Sequence, residues 1–173
     1  MPSGEFQIRM RGSAMTSSKS SRHSKIAGDF GESLVLYWLS KHGFECAKVD
    51  HTGIDLIAKN PHTGQLMGIS VKSRTRDNGT ETDAVYIPAD DFEKVDVACE
   101  VFGCAPYFAI VVDASDLIRA FIIAKMDLLE LFPVKKNSYW KMSADYLKKY
   151  SDHEGVMMFE LKTNLGRWWQ STK

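Results

Sequence analysis

Three side chains have the types and the spacing for hydrolysis of a phosphodiester: Glu32 in GDFGESLVLYWL, Asp55 in GIDLIA and Lys72 in GISVKSR. Asp55 offers hard oxygen, the ligand type that Mg²⁺ or Mn²⁺ prefers. A cation held there polarises a phosphate, lowers the pKa of an attacking water and stabilises the leaving oxygen. Lys72 would orient that water, or as the neutral amine deprotonate it, and as the ammonium neutralise charge growing on the phosphate. A structural salt bridge between Asp55 and Lys72 is the plainer reading of the same two residues.

The elements that must position them are legible. Asp55 and Lys72 fall on two apolar runs, Ile54 to Lys59 and Leu66 to Lys72, joined by Asn60-Pro61-His62-Thr63-Gly64. That junction is dense in turn formers and predicts a hairpin. Alternation places Asp55, Ile57 and Lys59 on one face of the first strand, and Gly68, Ser70 and Lys72 on one face of the second. A turn centred at His62–Thr63 sets Lys59 opposite Leu66 and Asp55 opposite Ser70, with Lys72 one step along on the same side.

A helix from about Lys25 to Lys41 precedes them, with Ser24 as its N-cap and Gly43 as its stop. Ile26, Phe30, Leu34, Tyr37 and Trp38 form one apolar stripe, and Val35, Leu36 and Leu39 make the opposite face apolar too, so this helix is expected to be mostly buried. Glu32 lies on that second face beside Gly28. A carboxylate buried there needs a partner, either a metal or Lys72. The simpler alternative is a wet acid favoured by the helix dipole.

Elsewhere, Phe44 to Val49 reads as a strand and Ser73 to Thr82 as a polar loop, mobile without substrate. Val85 to Ile87 reads as a short edge strand ending at Pro88. A helix from about Ala89 to Phe102 opens on Asp90, Asp91 and Glu93, where its dipole favours acids. Tyr107 to Val112 and Ile118 to Ala124 are buried strands, and Lys125 to Leu131 is a short helix. A helix at Ser143–Tyr150 and a strand at Val156–Leu161 follow. The order, α-β-β-β-α-β-β, is an α/β sandwich around a mixed sheet.

The chain's 173 residues suit one domain with a real core, and 44% apolar with 25% charged residues is ordinary for a soluble protein. No apolar run reaches membrane-span length, and no signal-peptide pattern is present. Cys46, Cys99 and Cys104 form neither a disulfide framework nor a zinc pattern, which fits small buried hydrophobes in a reducing cytoplasm. Residues 1–14 read as a vector-derived leader ahead of Met15, because Glu-Phe and Gly-Ser are what common cloning sites encode. Residues 15–24 read as a mobile basic arm. Residues 25–173 form the single domain, with a core at about 25–124 and a C-terminal extension at 125–173.

Net charge is zero but segregated. Residues 15–76 carry nine Lys/Arg against five Asp/Glu, residues 77–118 one against ten, and residues 119–173 ten against six. This permits a basic face, although an acidic solvated helix gives the same numbers. The five histidines lack ligand spacing. No GxxxxGK[ST], GxGxxG or GxSxG is present, so NTPase, dinucleotide-binding and α/β-hydrolase readings find no support.

Over about residues 26–112, the helix with Gly31-Glu32, then Gly43-Phe44, then Gly53-Ile54-Asp55, then Ser70-Val71-Lys72 and Arg74 resembles the PD-(D/E)XK nuclease superfamily. Within it, the likeness is to archaeal Holliday junction resolvases and related endonuclease-like proteins. The resemblance implies a restriction endonuclease-like mixed β-sheet flanked by helices, with an α-β-β-β-α-β core. It also implies Mg²⁺ or Mn²⁺ as cofactor, duplex or branched DNA as partner and a homodimer. Carried over residue by residue, Glu32, Asp55 and Lys72 are catalytic, and Asp55 and Glu32 hold metal.

Ser70 departs from the pattern, because that position is usually acidic, sometimes Gln, and ligates metal. Some restriction endonucleases of the superfamily also carry Ser there and take the carboxylate from a later helix. Glu93 is the best positioned substitute by sequence, with Asp90 and Asp91 behind it, and Glu32 is another. DNA contacts are expected from Lys19, Arg22 and Lys25 in the arm and from Arg74 and Arg76 past the lysine strand. Arg167-Trp168-Trp169 suits base stacking, or cover for a core or dimer seam. The reading is a metal-dependent DNA endonuclease. A non-cutting nuclease-fold binding protein and a sequence-specific restriction enzyme, recognising through residues after Ile123, remain as alternatives.

Overall fold

A computed structural model describes residues 19–163. Its elements run α1 (His23–Lys41), β1 (Glu45–His51), β2 (Ile54–Lys59), β3 (Leu66–Arg76), β4 (Val85–Pro88), α2 (Ala89–Phe102), β5 (Ala105–Ala114) and β6 (Leu117–Ala124). They continue through α3 (Lys125–Leu131), β7 (Asn137–Trp140), α4 (Ala144–Ser151) and β8 (Val156–Lys162). Six strands form one mixed sheet in the order β1-β2-β3-β5-β6-β8, in which only β3 and β5 run parallel. The parallel step needs a crossover, and α2 provides it. β5 sits inside the sheet and is covered on both faces, which explains its continuous apolar run.

The two faces carry separate cores. On one, Leu34, Val35 and Leu39 of α1 pack over Leu56, Ala58, Met67, Ile69, Val111 and Ala120. On the other, α2, α3, α4 and a two-stranded sheet of β4 and β7 cover Phe108, Ile110, Val112, Phe121 and Ile123. An aromatic nest anchors that second layer: Trp140 and Tyr150 stack with ring centroids 4.1 Å apart, and Phe121 and Phe132 pack against both. α1 approaches β3 closely because position 31 is glycine. A Cβ there would sit 1.7 Å from the Ser73 hydroxyl.

The bounds predicted for β2, α2 and α3 agree with the structure, and the predicted register holds where Lys59 pairs with Leu66. Other expectations change. α1 starts at His23, with Arg22 at the N-cap position and no side-chain cap, so Ser24 lies inside the first turn. The helix is not mostly buried: Ile26, Phe30 and Tyr37 are 53%, 43% and 61% exposed, because α1 has a sheet on one side only. β1 is displaced to Glu45–His51 and carries an irregularity between Lys48 and His51. Ser73–Arg76, expected as loop, is strand, since β3 pairs with β5 from Met67↔Ala105 to Arg76↔Ala114.

β4 is not an edge of the main sheet. It pairs with β7, a four-residue strand that the sequence reading missed. α4 starts one residue later than expected, with Ser143 at its N-cap position. Residues after 124 are woven into both sheets, β7 against β4 and β8 against β6. Among the described residues, no helix is long and apolar enough to cross a membrane.

Candidate active site

The β2–β3 register pairs Leu56 with Ile69, and continued by one step it sets Asp55 against Ser70. Asp55 Oδ2 accepts the Val71 N–H at 2.6 Å, which locks the carboxylate to β3. Gly53, Asp55, Ser70, Val71, Lys72, Asp91 and Lys94 line a pocket of about 120 Å³. Its far wall is the first half of α2. That helix comes close because the β1–β2 turn carries Gly53 at φ +107°, where a Cβ would lie 2.2 Å from the Lys94 carbonyl oxygen. Only glycine satisfies both the backbone angle and the approach.

Lys72 Nζ lies 2.9 Å from Asp91 Oδ2, and both side chains are 18% exposed. Lys94 adds a longer contact of 3.5 Å to Asp91 Oδ1 and a 2.6 Å pair with Asp90. Ser70 is buried at 3% exposure. Burial pushes the Asp55 carboxyl above the ordinary aspartate value, and nearby Glu32 adds to the push; the Val71 hydrogen bond and the charges of Lys72 and Lys48 oppose it. Asp55 is thus an acid in want of more positive charge than the chain gives it.

Glu32 reaches the same neighbourhood from α1, on the other side of the sheet. Its partner is neither Lys72 nor a buried void but Lys48 of β1, at 2.8 Å. The hydrogen bond to Glu32 holds the Lys48 ammonium above the usual lysine range. Sequence reasoning missed Lys48. Lys48 pairs with Leu56, which packs under α1, and that placement brings it to Glu32.

The structure therefore gathers Asp55, Ser70 and Lys72 in one pocket and adds Asp91, while Glu32 lies across the sheet against Lys48. Glu93 is exposed on α2 and is not among the pocket's lining residues. The helix turn explains this: with the pocket on the Asp91 side, a residue two positions on points about 200° away.

The basic residues named from sequence sit at the far end of β3. Lys19 pairs with Asp77 at 3.2 Å, and His23 hydrogen-bonds Thr75 at 2.7 Å, so residues 19–23 are tied to that strand end. Arg22 and Lys25 are exposed there. Arg74 donates to the Ser73 carbonyl at 2.7 Å and lines an apolar cleft of about 220 Å³ with Ile26, Phe30 and Ile118. Arg76 donates to the carbonyls of Asp83 and Ala84 at 3.2 and 2.9 Å, bracing the turn into β4. The leader and Arg167-Trp168-Trp169 lie outside the described residues.

Among the described residues, no three His, Cys, Asp or Glu side chains gather as a ready-made metal cage. What the pocket offers is two carboxylates, Asp55 and Asp91, beside a buried hydroxyl. That set fits Mg²⁺ or Mn²⁺, which bind through one or two carboxylates and leave the remaining positions to waters and phosphate oxygens.

No protein-family model matches the chain, and no curated protein matches its sequence. A solved structure does: the 1.6 Å structure of Archaeoglobus fulgidus Hjc, a Holliday junction resolvase from an archaeal hyperthermophile, with a TM-score of 0.51. The chain shares the fold of an archaeal resolvase. The match covers 70% of this chain and 88% of that one at 20% identity. At that identity the likeness carries the fold: a mixed sheet flanked by helices.

Proposed function

We propose that the chain is a divalent-metal-dependent DNA endonuclease acting on branched DNA, with the pocket between β2, β3 and α2 as its active site. One observation carries the reading. The carboxylate that Ser70 lacks is present in the same pocket as Asp91, supplied by α2 and already in contact with Lys72. The fold shared with an archaeal Holliday junction resolvase supports the substrate class.

Asp55 and Asp91 would hold Mg²⁺ or Mn²⁺, which when bound supplies Lewis acidity toward the scissile phosphate. The chain's own groups do the rest. The Val71 N–H keeps the Asp55 carboxylate in one orientation, so no reorganisation is needed when substrate arrives. Lys72, on β3 and restrained by Asp91, presents a positioned ammonium to the phosphoryl oxygens and to the attacking water. The water oxygen bonds to phosphorus and gives up a proton to solvent, an ester P–O bond breaks, and the leaving oxygen takes up a proton from solvent, so one water is added in all. Lys72 neutralises the charge that builds up during that exchange. Glu32, paired with Lys48, adds negative potential at Asp55 and helps hold the cation's field.

A second reading has its own support. Within the Lys72–Asp91 and Lys48–Glu32 pairs the charges neutralise one another without any cation, as a DNA-holding protein that no longer cuts would require. The deciding experiment is cleavage of a labelled four-way junction and a matched duplex with Mg²⁺ or Mn²⁺, comparing wild type with Asp55→Ala. Cation-dependent cutting, preferential for the junction and abolished by the substitution, supports the endonuclease. Binding without cutting moves the chain to the second reading.

A further inference from the structure

β4 pairs with β7 in a two-stranded sheet apart from the six-stranded one, and one of its faces is unused. Val85 and Ile87 of β4, and Ser138 and Trp140 of β7, point into the core. Alternation then turns Tyr86 and Tyr139 outward. They are cross-strand partners, 41% and 49% exposed, with ring centroids 5.8 Å apart in an edge-to-face arrangement. Two large aromatic rings set side by side in solvent gain nothing for the core.

Three features say what covers them. The first is continuity with the pocket. β4 ends at Pro88, α2 begins at Ala89, and Asp91 follows two residues later. Tyr86 is five residues from Asp91, at most about 18 Å of extended chain. That reach spans at most about five nucleotides at ~3.4 Å of rise per nucleotide.

The second is charge. Asn137 pairs with Pro88, so Lys136 and Lys135 lie at the pocket end of this sheet. Both are exposed, and neither forms an ion pair among the described residues. The acids of the 77–83 turn lie at the opposite end, before Val85, while Asp90 is neutralised by Lys94 at 2.6 Å. The third is rigidity. Arg76 clamps the turn entering β4 and the aromatic nest clamps β7, so the platform is preorganised.

Exposed rings flanked by unpaired lysines are the elements of a single-strand stacking surface, the rings taking base faces and the lysines taking phosphates. We infer that Tyr86 and Tyr139, with Lys135 and Lys136, bind unpaired nucleotides of DNA next to the scissile site. The inference rests on the endonuclease reading for its orientation, since the pocket fixes which end of the platform meets the phosphate to be cut. It makes the preferred substrate a branch with unpaired bases near the crossover rather than a continuous duplex.

The test uses the full chain in cation-free buffer with a duplex bearing a five-nucleotide single-stranded flap, 2-aminopurine being placed within the flap. Wild type is expected to bind the flap substrate more tightly than the blunt duplex and to change the 2-aminopurine emission on binding. Tyr86→Ala with Tyr139→Ala is expected to weaken flap binding at least about fivefold and remove the emission change. The matching pair of Phe substitutions keeps both. Lys135→Gln with Lys136→Gln lowers the salt slope of binding by about 1.4.

Flap binding unaltered in the alanine pair overturns the inference. So does an alanine pair that alters only self-association, which would make this face a contact between copies of the chain. Cleavage separates this inference from the reading it rests on. Cutting lost in Asp55→Ala but tyrosine-independent flap binding removes the platform and leaves the endonuclease. Tyrosine-dependent flap binding with no cutting under any cation leaves the platform and removes the endonuclease.

Discussion

Two carboxylate–lysine pairs flank Asp55, and they differ in surroundings rather than in length. Lys72 and Asp91 meet at 2.9 Å with 18% of each side chain exposed; Lys48 and Glu32 meet at 2.8 Å with 42% and 25% exposed. The inner pair stands in the pocket between the sheet and α2, and the outer pair bridges β1 and α1. An exposed pair contributes about 0–1 kcal/mol, whereas halving a buried one strands a charge at a larger cost, about 3–5 kcal/mol when burial is complete. Similar chemistry is therefore tunable on one side of Asp55 and built in on the other, and the built-in side is where a phosphate would be processed.

Breaking the inner pair should have the largest effect. Lys72→Ala leaves Asp91 with only its 3.5 Å contact to Lys94 and removes one of the positive charges acting on Asp55. Cleavage is expected to fall by at least about 100-fold, by analogy with the loss of one preorganised electrostatic group, and the Tm in cation-free buffer should drop. Millimolar Mn²⁺ should restore part of that Tm, because a divalent ion takes over the lysine's charge in the pocket. A Tm indifferent to Mn²⁺ would mean the two carboxylates do not share a cation site.

Next is the turn that lets α2 approach. Gly53→Ala puts a Cβ against the Lys94 carbonyl at a backbone angle unsuited to alanine. The expected cost is about 1–3 kcal/mol in stability, together with a loss of cutting greater than instability explains, as Asp91 is pushed from Asp55. Chemical denaturation alongside cleavage at a temperature where the variant stays folded reads both.

Asp55 sharpens the comparison through pH. Its folded carboxyl lies above the ordinary value of 3.8. From that value up through the raised one, the folded state binds more protons than the unfolded chain, so stability falls as pH rises. Asp55→Asn removes this loss and keeps an oxygen for the Val71 N–H. Its Tm should exceed that of wild type at pH 7 without cations, and the gap should close below about pH 4. A gap independent of pH would contradict the burial argument.

The outer pair comes last. Lys48→Ala should cost no more than about 1 kcal/mol, mostly screened by salt, and should alter the apparent cation affinity more than the maximal rate. Titrating Mg²⁺ in cleavage assays distinguishes the two.

The hairpin was legible because its information is local: Asn60 to Gly64 sets the turn, and a period of two sets which faces meet. α2 was legible for the same reason, with Pro88 before it and Gly103 closing it in the left-handed conformation. β7 was not, because NSYW is four residues long and becomes a strand only by pairing with distant β4. The Ser73–Arg76 segment misread as loop is polar because it lies at the sheet's end, yet β5 supplies its hydrogen bonds. In the site, Asp55, Ser70 and Lys72 followed from alternation. Choosing Asp91 over Glu93 required the rotation of α2 about its axis, and pairing Glu32 with Lys48 required knowing that β1 passes under α1 on that side.

The central claim is that the carboxylate absent at position 70 is supplied by Asp91. The most direct measurement is cation-dependent cleavage by wild type, Asp91→Ala and the double variant Ser70→Asp with Asp91→Ala. The account predicts that Asp91→Ala loses cutting and that the double variant regains a measurable part of it by returning a carboxylate to β3. Full cutting by Asp91→Ala alone would contradict it.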